Sequence, residues 1–255
     1  MRIGVPSLSC LGLAVGIVGP AHAEDIWVKT SNQDCTVLAD APLKDNEAVT
    51  WSGSCPDGRA SGVGTLEWIV DGNIAGYYEG GMADGTLNGE GVLRREVEKE
   101  NGFDRLQATF VAGEAEGEAR YDAPNGDYFV GEVKNGERDG LGYYRELAGV
   151  EYYGDFENDE QNGIGVLTDA EGNAYFGQFE QGAGKGAGVY EAADGSSFLG
   201  QFADSEPNGA GTFVAPNGDI YQGQFKAGKA DGMVLVTKAD GSQSVEEWKD
   251  GEKVQ

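Results

Sequence analysis

The sequence has 255 residues, of which 43 are glycine and seven are proline, and its formal net charge at pH 7 is −26. An aromatic fraction of 10% gives the chain material to bury, so the glycine content does not indicate a disordered chain. The negative charge excludes nucleic-acid binding and disfavours direct binding to anionic lipid, because both need clusters of lysine and arginine.

Residues 1–23 have the features of a secretory signal peptide. Arg2 supplies a positive charge, the apolar stretch Leu11–Val18 is too short to span a bilayer, and Ala21–Ala23 is an A-x-A cleavage site. We therefore expect an exported protein, periplasmic or extracellular, that is cleaved at about the end of this range. An ordinary N-terminal strand is the alternative. Cleavage would remove His22, the one histidine of the chain.

Residues 24–50 carry no repeat signature and are predicted to form a cap in front of the repeats. Ile26–Val28 and Thr36–Leu38 are two short runs that could cover the open edge of a sheet, which otherwise invites aggregation. Cys35 and Cys55 remain after cleavage, and two cysteines in an exported protein most simply form one disulfide. That bond would join the cap to the first repeat. Two buried thiols are the alternative.

A motif with an aromatic residue, a central glycine and a phenylalanine recurs through the remaining chain, which we define as residues 51–255. Its central position recurs every 23 residues, and two looser copies precede the regular ones, so we count about eight copies. Each copy continues with Gly-x-Gly, an apolar residue and a turn dipeptide such as Asn217-Gly218. Two short alternating runs separated by glycine turns predict a β-hairpin.

Alternation assigns the side chains of each hairpin to two faces. On the second strand of one copy we expect Gly163, Gly165 and Leu167 to share a face. An aromatic ring is expected to cover the glycines of neighbouring strands, because a glycine weakens a strand unless something uses its space. The recurrent aromatic residues should then form the core, with a groove for an extended ligand as the alternative: Tyr152, Phe156, Tyr175, Phe179, Phe198, Phe202, Tyr221 and Phe225.

The motif Tyr-x-Gly-x-Phe followed by Gly-x-Gly at a 23-residue spacing resembles the MORN repeat (membrane occupation and recognition nexus), here of an exported bacterial type. The resemblance covers roughly residues 51–250 and departs from the family pattern at Ala108 and Ala119, which replace glycines. It implies an all-β fold, an elongated, twisted antiparallel sheet of stacked hairpins behind a small N-terminal cap. It also implies roles in tethering, dimerisation and, in some members, lipid contact.

The face opposite the aromatic core is predicted to be a binding surface. Its second motif position is apolar in four consecutive central repeats and polar in the flanking repeats, and a contiguous apolar stripe indicates a covered surface. We expect a protein partner or a homodimer there. In the alternative, sheet curvature or the folded-back N-terminal segment buries the same residues. The predicted interface consists of Val130, Tyr153, Phe176, Leu199, Ile164 and Val166.

Catalytic groups are scarce in this sequence. Without histidine and with its cysteines paired, the mature chain has no His-based triad, cysteine nucleophile or His-ligated zinc site. The acidic run Glu157–Glu160 lacks the spacing of a calcium loop, and a solvated turn is the better interpretation. We predict no catalytic residue, metal or cofactor. The predicted function is a non-enzymatic exported scaffold or adaptor, with a lipid- or cell-wall-glycan-binding module as the alternative.

Overall fold

A computed structural model describes residues 26–39, 41–97 and 102–254. The predicted signal peptide lies outside these residues. Apart from one short 3₁₀ turn at Pro56–Gly58, all regular structure in the described ranges is β-strand, which confirms the all-β prediction. No helix in these ranges has the length and apolarity needed to cross a bilayer. The chain divides into an N-terminal unit that ends at Leu147 and a C-terminal unit that begins at Ala148.

The described part of each unit contains ten strands. Those of the N-terminal unit are β1 (Ile26–Lys29), β2 (Thr36–Ala39), β3 (Glu47–Trp51), β4 (Gly62–Val70), β5 (Asn73–Ala83), β6 (Thr86–Val97), β7 (Gly102–Val111), β8 (Glu114–Asp122), β9 (Tyr128–Lys134) and β10 (Glu137–Arg145). Those of the C-terminal unit are β11 (Glu151–Glu157), β12 (Glu160–Thr168), β13 (Ala174–Glu180), β14 (Ala183–Glu191), β15 (Ser197–Ala203), β16 (Glu206–Val214), β17 (Ile220–Lys226), β18 (Lys229–Thr237), β19 (Gln243–Lys249) and β20 (Glu252–Lys253).

Consecutive strands pair antiparallel in both units. In the N-terminal unit β3 to β10 form one ladder of hairpins, and β1 pairs with β2 in a separate two-stranded sheet. In the C-terminal unit β11 to β20 form a second ladder of the same kind. Stacking supplies each hairpin with neighbours, which it needs because an isolated two-stranded hairpin is marginally stable in water. The prediction of stacked antiparallel hairpins is therefore confirmed.

In four consecutive repeats the first aromatic residue lies over glycines, as predicted: Phe129, Tyr152, Tyr175 and Phe198. A Cβ atom on Gly165 would lie 2.5 Å from the hydroxyl oxygen of Tyr152, and one on Gly200 would lie 2.8 Å from Cε1 of Phe198. Both aromatic side chains are fully buried. The glycines are therefore required by the close approach of the rings, and the rings fill the space that the glycines leave.

The expectation that Gly163 shares a face with Gly165 is wrong. Strand β12 changes register opposite Gly154–Phe156, and Gly163 adopts a φ of 75° at this bulge. A Cβ atom on Gly163 would lie 2.6 Å from Oδ2 of Asp155, whereas one on Gly165 would meet the ring of Tyr152 on the other face. Glycine reaches this left-handed conformation without the steric cost of a side chain, and the bulge turns the residue around.

Neighbouring repeats of the C-terminal unit are joined by edge-to-face aromatic contacts. The first ring of one repeat meets the phenylalanine of the next repeat at centroid separations of 4.9 to 5.2 Å. Such pairs contribute about 0.5–1.5 kcal/mol each beyond the area they bury. The three pairs are Tyr152 with Phe179, Tyr175 with Phe202, and Phe198 with Phe225.

Tyr221 differs from the other predicted core residues because it is only half-buried. Val234 stands opposite Gly223, where the preceding hairpins have a second glycine. The next strand carries Glu246 opposite Val234, in place of the motif glycine. Tyr221 instead packs edge-to-face against Trp248, with ring centroids 5.8 Å apart. The repeat geometry therefore changes at the C-terminal end of the ladder.

The N-terminal edge of the β3 ladder is covered by the loop between β1 and β2. The backbone N–H of Ser31 donates to the carbonyl oxygen of Val49 at 2.7 Å. The side chain of Asn32 accepts from the N–H of Trp51 at 3.1 Å and donates to its carbonyl oxygen at 2.8 Å. These bonds satisfy an edge that would otherwise be open to another chain.

Cys35 and Cys55 are joined by a disulfide, as predicted, and their Cα atoms are 5.7 Å apart. Cys35 is fully buried. The bond connects the residue preceding β2 to the segment that follows β3, and the N–H of Leu38 donates to the carbonyl oxygen of Gly85 at 2.9 Å. The β1–β2 hairpin is thus fixed covalently and by hydrogen bonds to the beginning of the ladder.

Candidate interaction surfaces

A row of apolar side chains crosses the C-terminal unit on its outer face, by which we mean the face opposite the aromatic core. Its members stand directly opposite one another on consecutive strands from β11 to β15. Residues paired in this way have Cβ atoms about 4.5–5.5 Å apart, so the side chains contact one another. We call this row the apolar ladder: Tyr153, Val166, Phe176, Val189 and Leu199.

The large side chains of the apolar ladder are exposed. The exposed fraction is 54% for both Tyr153 and Phe176 and 62% for Leu199. Ile164 lies one row away, opposite Gln178, and is 49% exposed. Sheet curvature therefore does not bury these side chains in the part of the chain that the structure describes. A contiguous exposed apolar row of this kind is a candidate interaction surface.

Val130 belongs to the N-terminal unit and has different neighbours from the apolar ladder. It is 42% exposed and stands between Arg120 on β8 and Tyr143 on β10. Its surroundings form a groove of about 820 Å³ on the outer face of β6 to β10. The backbone of four small residues contributes to the lining: Gly91, Ala108, Ala119 and Gly131. Two of these are the alanines that replace motif glycines.

The groove carries three carboxylates and one arginine, and we call it the acidic groove. Glu118 and Glu132 stand directly opposite each other on β8 and β9, and Glu90 lies on β6. The guanidinium of Arg120 is bound to Asp122, with Nη2 2.6 Å from Oδ1. This hydrogen bond lowers the pKa of Asp122 and raises the pKa of Arg120. The three glutamates therefore keep the groove negative.

The model of the MORN repeat family matches seven segments that together cover more than half of the sequence. These are residues 78–96, 107–128, 129–145, 152–174, 175–197, 198–220 and 221–233. The chain belongs to the MORN repeat family. This is consistent with the ring-over-glycine packing, which recurs in nearly the same form in the four repeats that begin with Phe129, Tyr152, Tyr175 and Phe198.

MORN-type packing extends beyond the matched segments at the N-terminal end. Trp51 on β3 lies over Gly64 on β4, where a Cβ atom would be 2.7 Å from Cη2 of the indole. The Trp51 indole N–H donates to the carbonyl oxygen of Ser54 at 2.9 Å. Tyr78 makes the corresponding bond in the first matched repeat, to the carbonyl oxygen of Gly81 at 2.9 Å. The hairpin of β3 and β4 is therefore built like a MORN repeat.

No curated protein is similar enough to this chain to count as a match. Among solved structures, the SAS-4 (dCPAP) TCP domain of Drosophila melanogaster, in complex with a proline-rich motif of Ana2 (dSTIL), is 12% identical. The match covers 61% of this chain and 90% of the SAS-4 domain, with a TM-score of 0.36. Virginiamycin B lyase from Staphylococcus aureus is 9% identical over 88% of both chains, with a TM-score of 0.16. Neither similarity supports a conclusion about function.

The described residues of this MORN protein carry an exposed apolar row and an acidic groove. No group of three or more histidine, cysteine or acidic residues in the described ranges is placed to hold a metal ion. MORN repeats typically form non-catalytic scaffolds, and they suggest a module for protein interaction or membrane association. Four members of the apolar ladder belong to the interface predicted from the sequence: Tyr153, Val166, Phe176 and Leu199. Val189 is absent from that prediction, Ile164 lies one row away, and Val130 lies in the N-terminal unit. The acidic groove was not predicted, because the opposition of Glu118 and Glu132 depends on strand register.

Proposed function

We propose that this chain is a non-enzymatic, exported scaffold or adaptor that binds a protein through the apolar ladder. The observation that carries the proposal is the contiguous row of exposed side chains from Tyr153 to Leu199. Aromatic residues are enriched at protein interfaces, and the ladder supplies two of them on strands that only β12 separates. Membership of the MORN repeat family supports an interaction module.

The charge of the chain favours a protein over an anionic membrane as the partner. A formal charge of −26 repels lipid surfaces of the same sign. The outer face of the C-terminal unit adds Glu151 and Glu191 on the strands that carry the ladder. The disulfide between Cys35 and Cys55 supports export, because such bonds persist in oxidising compartments and are rare in the cytosol.

Paired charge insertions test the ladder directly. We expect Tyr153→Glu together with Phe176→Glu to abolish partner capture or dimer formation while leaving thermal unfolding nearly unchanged, because both side chains are more than half exposed. The matched control is Gln222→Glu with Gln224→Glu, which adds the same charge at exposed positions of β17. The control variant should behave like the unmodified protein.

The experiment uses the full chain as bait on the proteins of its own exported fraction, with sedimentation equilibrium to detect a dimer. Parallel co-sedimentation with neutral liposomes, anionic liposomes and cell-wall glycan tests the alternative ligands. Retention by liposomes or glycan alone would overturn the proposal. Unchanged capture and unchanged oligomeric state in the Tyr153 and Phe176 double variant would do the same.

A further inference from the structure

We propose that the acidic groove of the N-terminal unit is a second binding site, for a peptide segment that carries lysine or arginine beside apolar residues. It uses different residues from the apolar ladder and does not depend on the function proposed for that ladder. The inference rests on a like-charged pair, an apolar lining and the dimensions of the groove.

The like-charged pair is Glu118 and Glu132. They face each other across β8 and β9, where like charges destabilise a sheet. Both side chains are exposed, and within the described part of the chain neither has a basic partner. The nearest cation of the lining, Arg120, is held by Asp122. A cationic side chain placed between the two carboxylates would convert this repulsion into two favourable contacts.

The apolar lining indicates that the ligand is more than a cation. Val130 and Leu141 line the groove beside the carboxylates, and both are exposed, at 42% and 45%. Val92 lies on the same lining, two strands away from the glutamate pair. Covering these side chains is favourable for an apolar group, at about 25 cal/mol per Å² of area removed from water. A ligand with alternating cationic and apolar groups meets both requirements.

The dimensions of the groove favour a peptide over a small ion. The five strands β6 to β10 span about 19 Å between their axes at the usual strand spacing of ~4.8 Å. A volume of about 820 Å³ lies within the range of ligand sites, and the groove is open to solvent instead of enclosed. A single metal ion would meet two opposed carboxylates and leave the apolar lining uncovered. A peptide segment laid across the strands contacts both.

The test uses a fluorescein-labelled nine-residue peptide, Lys-Leu-Ser repeated three times, and follows fluorescence anisotropy with the full chain at 50 and 200 mM salt. We expect binding that weakens with salt, no binding when glutamate replaces the lysines, and weaker binding when serine replaces the leucines. Glu118→Gln with Glu132→Gln should weaken binding by about tenfold, as expected for the loss of two solvent-exposed ion pairs. The same variant relieves a repulsion, so its unfolding temperature should not fall.

The matched control is Glu157→Gln with Glu160→Gln. This pair also stands directly opposite across two strands, and its substitution changes the net charge equally, but it lies outside the groove. Binding by this control should remain within about twofold of the unmodified chain. An equal loss in both double variants would show nonspecific attraction to an acidic protein and would overturn the proposal.

Two further measurements test the independence of the groove from the apolar ladder and the chemical nature of its ligand. The ladder variant Tyr153→Glu with Phe176→Glu should bind the peptide as the unmodified chain does, and a matching loss of binding would overturn the independence of the two sites.

Spermidine should compete only weakly, because it has no side chains for Val130 and Leu141. Competition by spermidine as effective as that of the unlabelled peptide would show a polyamine site and overturn the peptide assignment.

Discussion

The ring of Tyr175 lies over Gly188 on the neighbouring strand, so closely that a Cβ atom on Gly188 would be 2.7 Å from Cε2 of the ring. The tyrosine hydroxyl donates to the carbonyl oxygen of Gln178 at 3.0 Å, which holds the ring down on the strand. Because the ring is fixed at its far end, it cannot easily move to accept a methyl group. This relationship leads to the first prediction.

Gly188→Ala should destabilise the chain by about 1–3 kcal/mol, the usual cost of inserting a methyl group into a packed core. The sign of this stability change is informative, because alanine is otherwise favoured over glycine within a strand. Urea unfolding of the full chain measures the free energy. Ala187→Ser, at the adjacent exposed position, should remain within about 0.5 kcal/mol. A stabilising Gly188→Ala substitution would contradict the packing of the Tyr175 ring on this glycine.

Alkaline pH should destabilise the fold through its buried tyrosines. Burial raises the pKa of Tyr78 and of Tyr175 to about 12, from an ordinary value of 10. The unfolded chain therefore releases these protons first, and the stability they contribute is complete below pH 10 and is lost as the pH approaches 12. Each tyrosine accounts for about 2–3 kcal/mol over this interval. Urea unfolding between pH 8 and 11.5 measures the loss.

Tyr175→Phe provides the control for the alkaline effect. The substitution removes the titrating group and the hydrogen bond to Gln178, while Phe198 shows that phenylalanine fits the corresponding position of another repeat. Its stability should be slightly lower at neutral pH and should decline less steeply above pH 10. A decline as steep as that of the unmodified chain would show that this tyrosine does not carry the effect.

Reduction of the Cys35–Cys55 bond should loosen the N-terminal hairpin. The bond links residues 20 positions apart, and a loop of this size gives about 3 kcal/mol of stabilisation. Cys35→Ala with Cys55→Ala should lower the free energy of unfolding by a similar amount. It should also make β1 and β2 accessible to limited proteolysis. Reductant should reproduce this in the unmodified chain and have no effect on the double variant. Equal resistance to protease before and after reduction would contradict the prediction.

Asn32→Ala should expose the edge of β3. It removes both hydrogen bonds to the backbone of Trp51, including the acceptor of the Trp51 N–H. The expected cost is about 1–3 kcal/mol, the penalty for an unsatisfied buried backbone group. Asn32→Asp keeps the acceptor for the Trp51 N–H and loses only the donor, and Gln33 also donates to the same carbonyl oxygen. The stability of the Asn32→Asp variant should therefore lie between those of the unmodified chain and Asn32→Ala. Light scattering under mild denaturant should show more self-association for Asn32→Ala.

The sequence predicts the hairpins and their core well because both depend on local spacing. Aromatic residues and glycines alternate with period two, so their shared face follows from strand geometry alone, and the structure places Tyr152 over Gly165 accordingly. The position of Glu246 also follows from the 23-residue spacing. It occupies the place of the motif glycine opposite Val234.

The remaining features depend on properties that a single sequence does not encode locally. The reversed orientation of Gly163 arises from a bulge, where β12 contributes two more residues than β11 between paired positions and the simple alternation fails. The acidic groove requires the register of β8 against β9, which brings Glu118 and Glu132 into direct opposition. The two hydrogen bonds from Asn32 to Trp51 connect residues that no repeat pattern relates.

The aromatic contacts between consecutive repeats of the C-terminal unit have a consequence for how such a gene can change. Three consecutive junctions there consist of the same pair, a first ring against the phenylalanine of the following repeat, and each involves only adjacent repeats. Duplication or loss of one 23-residue segment would therefore recreate an equivalent junction and leave the others intact. Length can vary by recombination within the coding sequence, while a specialised surface on one repeat is inherited unchanged.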